Sequence, residues 1–158
     1  MLPIDPTVGR GSLAYEYRIG RYEITTSQWV EFFIAAFDRP VDDRIPWVPS
    51  PSVVNMRWGA AGTMPITPGG QRWSVPAGKE MRGASNISWR VAAIYCNWLH
   101  NGKATNREAF LTGAYGVSMF GNTGNGTFSD QLTRSPGAIY FIPTYDEWLK
   151  AVHYDPMR

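Results

Sequence analysis

Apolar residues recur along this chain with two different periods. From Tyr15 to Ile24 they alternate with polar neighbours: Tyr15, Tyr17 and Ile19, then Tyr22 and Ile24 beyond Gly20. That alternation predicts two strand pieces, or one strand bent at the glycine. The period then lengthens. Trp29, Phe32, Phe33 and Ala36 fall at helical spacing, one apolar face of a helix ending near Phe37. Thr25 and Gln28 in front of it form a capping-box pattern. A second helix is predicted after Ser88 as N-cap, with Trp89, Ala92, Ala93, Cys96 and Leu99 inward and Asn101-Gly102 as its stop. Ile139 to Ile142 reads as a buried strand broken by Pro143. Thr144 and Glu147 then make a second capping box before a third helix with Trp148, Ala151 and Val152 on its apolar face and Pro156 as stop signal.

Between these elements, turn residues dominate. Seven prolines from Pro40 to Pro76, interleaved with glycines, leave room in 38–86 only for short strands at Ser52 to Trp58 and Gln71 to Val75. A segment this long is expected to pack on the body of the domain through Trp47, Trp58 and Trp73. Residues 103–138 are again turn-rich, and the run Gly121-Asn122-Thr123-Gly124-Asn125-Gly126 reads as a plain surface loop without the Gly-Lys-Ser/Thr of a phosphate cradle. No internal repeat is visible. The expectation is one α+β domain over 1–158, loop-rich, with short strands and three short helices.

Composition sharpens this picture. Sixteen glycines and twelve prolines in 158 residues argue against a helical bundle. A hydrophobic share of 44%, with 14% aromatic, excludes a disordered chain. Seven tryptophans point to a core built on aromatic anchors. The net charge of +2, with arginines scattered from Arg10 to Arg158, gives no nucleic-acid footprint. Cys96 is the only cysteine, so no internal disulfide and no CxxC knuckle can form. With His100 and His153 the only histidines, a Cys/His zinc site is not expected. The first residues show neither the cationic nor the apolar region of a signal peptide, and no apolar stretch approaches the roughly 20 residues of a membrane span. Localisation stays unknown.

Three segments together carry a resemblance. They are Tyr17-Arg18-Ile19-Gly20-Arg21-Tyr22-Glu23-Ile24-Thr25 with Gln28-Trp29-Val30-Glu31-Phe32; Asn86-Ile87-Ser88-Trp89 with Ala92-Ala93-Ile94-Tyr95-Cys96-Asn97-Trp98-Leu99; and Ile142-Pro143-Thr144-Tyr145-Asp146-Glu147-Trp148 with Lys150-Ala151-Val152. Their order and spacing resemble the N-terminal half of the formylglycine-generating enzyme family, the sulfatase-modifying factor domains, over about Tyr15 to Pro156. The Gly20-Arg21-Tyr22-Glu23 opening and Trp98-Leu99-His100-Asn101-Gly102 look most like its bacterial exported branch. The resemblance implies a fold distantly related to C-type lectins. It implies oxidation of a sulfatase cysteine to formylglycine, with oxygen and a copper held by two cysteines of the C-terminal half. Those cysteines have no counterpart here, and the family's calcium segments are likewise expected largely beyond Arg158. Tyr145 and Leu149 stand where the family often has acidic residues, and Arg90-Val91 replaces an acidic-leaning pair.

Each chemically suggestive residue has a structural reading that competes with a catalytic one. Cys96 lies on an apolar helix face, where a thiol behaves as a small inert hydrophobe. His100 and His153 close helices, where an imidazolium suits the dipole, and nothing in the spacing brings Asp155 to them as a third ligand. Asp146 and Glu147 point apart on one helix, and Glu147 serves the capping box. Arg18 and Arg21 belong to an alternating polar face beside Glu16 and Glu23. The sequons at Asn86 and Asn125 matter only in a secretory compartment. The sequence therefore predicts no catalytic, cofactor-binding or metal-binding residue within this chain. The expected function is a sulfatase-modifying type domain, incomplete and catalytically silent as this chain; the alternative is a non-catalytic module displaying loops on a lectin-like scaffold. The expected partner is a sulfatase or another protein or peptide, with self-association through apolar surface left open on Ile139 to Ile142 and the helices.

Overall fold

The computed structural model describes residues 11–48, 61–62, 73–75, 77–85 and 87–153. The strand expected at Ser52 to Trp58, the side chains of Trp58 and Trp73, Asn86 and the stop at Pro156 lie outside the described residues. Mixed helices and small antiparallel pairs make it a loosely α+β chain. It divides into two compact units, one of residues 11–21 with 142–153 and the other within Tyr22–Phe141.

The second unit is built on two helices. Helix α1, Thr26–Phe37, starts where the sequence places it. The Thr25 hydroxyl accepts the Gln28 N–H at 3.3 Å, and the Gln28 side chain accepts the Thr25 N–H at 2.9 Å. The next free donors of its first turn are met from far along the chain. Thr26 N–H donates to the Arg82 carbonyl at 2.7 Å and Ser27 N–H to that of Glu80 at 3.1 Å, so no helix-end amide here needs water. Strands β1, Ala61–Gly62, and β2, Trp73–Ser74, pair antiparallel; of the strand expected at Gln71 to Val75, Trp73 and Ser74 lie in β2, and Gln71 and Arg72 lie outside the described residues.

Helix α2, Trp89–His100, is capped by Ser88, whose hydroxyl accepts the Val91 N–H. It ends on a Schellman turn: Lys103 N–H donates to the Trp98 carbonyl and Gly102 N–H to that of Leu99, with Gly102 at φ 65°. Its buried residues are Val91, Ala93, Ile94, Tyr95, Cys96, Asn97 and Trp98, a wider face than expected, and Trp89, Ala92 and Leu99 are only partly covered. The helix is buried on more than one side. Tyr95 and Trp98 meet Phe32 of α1, while Asn97 faces the chain from Phe110 to Tyr115. Phe32 is the hub of the core, with ring centroids of Trp29, Tyr95, Trp98 and Phe110 at 5.1, 5.2, 5.6 and 6.2 Å. Such tilted and edge-on pairs stabilise beyond the area they bury.

Between residues 103 and 138 the chain holds more than turns. A one-turn helix α3, Glu108–Leu111, buries Ala109 and Phe110. The glycine-rich run read as a loop is a hairpin of β3, Asn122–Gly124, and β4, Thr127–Phe128. Asn125 and Gly126 at its tip have φ 51° and 76°, the two left-handed residues a tight hairpin turn demands.

Two strand expectations fail. Residues 15–24 form no ladder, and only Thr25 makes a bridge, to Gly83. Nor is Ile139 to Ile142 a buried strand: Ile139 is 67% and Tyr140 48% exposed. A Pro136-Gly137 turn precedes it and Pro143 follows, and the Ile139 N–H goes to the His100 imidazole rather than to a neighbouring strand.

In the first unit, α4, Tyr145–His153, brings the described α-helices to four, where three were expected. Its capping box forms as expected, with Glu147 N–H on the Thr144 hydroxyl at 3.2 Å and Thr144 N–H on the Glu147 carboxylate at 2.7 Å. The face expected inside is outside, with Trp148 47% and Val152 55% exposed, while Glu147 is fully buried. The side chains of the alternating segment explain the inversion: Tyr15 and Tyr17 lie against Glu147, so that flank of the helix is the covered one. Among the described residues no helix is long and apolar enough to cross a membrane.

Candidate functional site

Arg90 stands in the first turn of α2, where the helix dipole disfavours a cation. Asp130 offsets that cost. Arg90 Nε lies 3.1 and 2.9 Å from the two carboxylate oxygens of Asp130 and Nη2 lies 2.8 Å from Oδ1, a forked pair with both side chains largely buried. Nη2 also donates to the Gly121 carbonyl at 2.7 Å, and Gly121 N–H returns to Asp130 at 3.1 Å. Hydrogen bonding from Arg90 holds the Asp130 carboxyl below the usual carboxylate range, against a smaller opposing effect of burial.

Two exposed aromatic rings flank this guanidinium. Its carbon sits 4.0 Å from the Trp47 ring centroid and 5.3 Å from that of Phe128. Trp47 holds a left-handed backbone, φ 68°, rare for a bulky residue, and its ring stacks on the Arg90 guanidinium. Arg90 Nη1 makes no hydrogen bond among the described residues. The arrangement offers stacking surface and one unspent amino group. Its one carboxylate, Asp130, is committed to Arg90 and to the Gly121 N–H.

The first unit carries a cleft of about 370 Å³ lined by Tyr15, Glu16, Tyr17, Ile19, Lys150 and Ala151. Beneath its tyrosines, Tyr15 donates to the Glu147 carboxylate at 2.9 Å and Tyr17 to the Glu147 carbonyl. Loss of water around Tyr17, and then the charge of Glu147, raise its hydroxyl above the ordinary tyrosine value. The Tyr17 hydroxyl stays a protonated donor, and Glu16 and Lys150 put side chains of opposite charge on one cleft.

Cys96 is buried and unpaired with any other cysteine, and burial pushes its thiol up to about 12, far from thiolate reactivity. His100 closes α2, and its Nδ1 accepts the Ile139 N–H, 3.1 Å away. His153 closes α4 and is exposed. Asp146 accepts the Gly11 N–H at 3.0 Å and points apart from Glu147. Arg18 and Arg21 are exposed. Among the described residues no three His, Cys, Asp or Glu side chains converge on a metal site.

Sequence reasoning missed Arg90 with Asp130, and it missed Asn97. A separation of forty residues links the first pair without any local signal. Asn97 was readable in part, since a polar residue beside Cys96 and Trp98 at helix-core spacing has to find partners inside. No protein-family model, curated protein or solved structure matches this chain.

Proposed function

We propose that this chain is a sulfatase-modifying type domain that acts as a scaffold and binding surface and carries no oxidase chemistry by itself. The observation that carries the second half is Cys96. The family's copper is held by two thiolates; this chain has one cysteine, and it is a core thiol raised to about 12. The residues present do not fit a copper site, and a thiolate pair would need sulfur from outside this chain.

The first half rests on the resembling segments. Each turns into a capped helix at the expected cap residue: Thr25, Ser88 and Thr144. The polar residues they bring inside, Asn97 and Glu147, bind neighbouring chain and leave no group to act on a substrate. A formylglycine-generating-enzyme-like fold, distantly related to C-type lectins, is the finer architecture we propose for this α+β chain.

The purified chain, supplied with copper and a sulfatase-derived cysteine peptide, is expected to give no aldehyde product while binding the peptide measurably. Turnover above the copper-only blank would overturn the reading. A second reading, a module for ligands other than sulfatase peptides, is favoured by the exposed Trp47 and Phe128 rings beside Arg90. Glycan-array binding lost in Trp47→Ala, with no peptide binding, would select it.

A further inference from the structure

We propose that Asn125 is a self-modifying residue: its side-chain amide is lost to attack by the Gly126 backbone nitrogen, and the isoaspartate formed loosens the hairpin that braces Arg90. The chain holds two Asn-Gly pairs, 101–102 and 125–126. In both, the glycine leaves the attacking nitrogen without a shielding side chain. The structure treats the two pairs in opposite ways.

Asn101 is held. Its two Nδ2 hydrogens are shared among the carbonyls of Asn97, Ala109 and Thr112, 3.0, 3.0 and 2.8 Å away. The Gly102 N–H is committed to the Leu99 carbonyl in the helix stop. Neither nucleophile nor electrophile can reorient without breaking several hydrogen bonds.

Asn125 is exposed at the hairpin tip, and neither its side-chain amide nor the Gly126 N–H has a hydrogen-bond partner among the described residues. Strands β3 and β4 hold three and two residues and are exposed throughout. A two-stranded hairpin of this size is marginal alone and opens locally at little cost, so the attack geometry is within reach. In the reaction, Gly126 N loses its proton to solvent base and bonds to Asn125 Cγ. That bond closes a five-membered ring; Nδ2 takes a proton from solvent acid, the Cγ–Nδ2 bond breaks, ammonia leaves, and a succinimide remains. Water opens that ring at either carbonyl, giving aspartate or isoaspartate with no redox change.

Isoaspartate carries the main chain through its side-chain carbon and adds a methylene to the turn, which removes the paired left-handed geometry at 125 and 126. Phe128 and Asp130 follow at once along the chain, and both support Arg90. The modification therefore acts as a slow, one-way release of the Arg90 site.

The test is ageing of the full chain at mildly alkaline pH, with peptide mapping and isoaspartate methyltransferase labelling. Isoaspartate is expected at 125, with Asn101 lagging by roughly a hundredfold because its amide must first break its hydrogen bonds. Amide exchange at Gly121, whose N–H donates to Asp130, is expected to speed up in aged protein and not in aged Asn125→Gly, which keeps a left-handed turn. Equal rates at 101 and 125 would overturn the site, and isoaspartate at 125 with unchanged Gly121 exchange would overturn the release.

Discussion

Asn97 and Tyr115 are joined twice. Asn97 Oδ1 accepts the Tyr115 N–H at 2.7 Å, and Asn97 Nδ2 donates to the Tyr115 carbonyl at 2.8 Å. A second Nδ2 bond, 3.0 Å to the Phe110 carbonyl, completes the use of the amide. One fully buried side chain thus satisfies backbone that would otherwise lie dry and unmatched. Asn97→Ala is expected to cost about 3 kcal/mol, since it strands a donor and two acceptors. Asn97→Asp keeps the acceptor and adds a buried charge, so it should be at least as destabilising at neutral pH. Urea denaturation of both variants checks the order.

Phe32→Ala removes the ring around which the core is arranged and should cost about 4 kcal/mol. Leu132→Ala, at a site 72% exposed, should stay within about 0.5 kcal/mol in the same titration. Equal losses would remove Phe32 from the centre of the core.

Alkaline pH should destabilise the fold. Burial raises both the Cys96 thiol and the Tyr95 hydroxyl to about 12, from ordinary values of 9.0 and 10.0. The native state holds these protons more tightly than the unfolded chain does. The stability they contribute is complete below about pH 9 and is lost as pH climbs toward 12. Cys96→Ala is expected to flatten part of this slope in denaturation curves from pH 8 to 11. At neutral pH, thiol reagent should label Cys96 only after unfolding.

Arg90→Lys keeps the charge and loses the fork, the carbonyl bond to Gly121 and the flat face on Trp47. A loss of about 2 kcal/mol is expected, with Arg90→Ala worse because Asp130 is left unpaired. The acid limb tests the pairing by sign. Asp130 is held below its usual range, so its contribution is present above the ordinary carboxylate pKa and disappears as pH falls through the depressed one. Arg90→Lys should reduce that acid-side loss.

The exposed stripe of Tyr145, Trp148 and Val152 on α4 should bind a hydrophobic-surface dye. The double variant Trp148→Ser, Val152→Ser is expected to lower dye fluorescence and any self-association seen in sedimentation.

Much of this structure was legible because helix starts are local. Thr25 with Gln28 and Thr144 with Glu147 lie three residues apart and satisfy one another within a single turn. Faces were harder. Trp148 and Val152 have the right spacing for a core stripe, yet whether a stripe meets anything is decided by chain elsewhere, here by Tyr15 and Tyr17 taking the Glu147 flank. Ile139 to Ile142 misled for the same reason, since apolar content promises burial only where a partner strand exists. The hairpin had a signal that composition obscured: Asn125-Gly126 between short strands names its own turn. The Arg90 site had none, because Trp47, Gly121 and Asp130 are assembled on it by tertiary folding alone.

Thr26 and Arg82 are bonded twice, through the Thr26 N–H and its hydroxyl at 2.9 Å, and Arg107 Nη1 separately ties the Arg44 carbonyl at 2.8 Å. The first two bonds close the chain from Thr26 to Arg82 into a ring, and the third pins Arg44 inside that ring to Arg107 outside it. Lengthening a ring already closed is thermodynamically mild, since each doubling adds only about 0.6 kcal/mol of closure entropy. Foreign peptide inserted between Gly62 and Trp73, at the connection of β1 to β2, should therefore leave the Phe32 core and the start of α1 in place. The ring gives this small scaffold a port for new sequence, with its size free to vary and its two ends held.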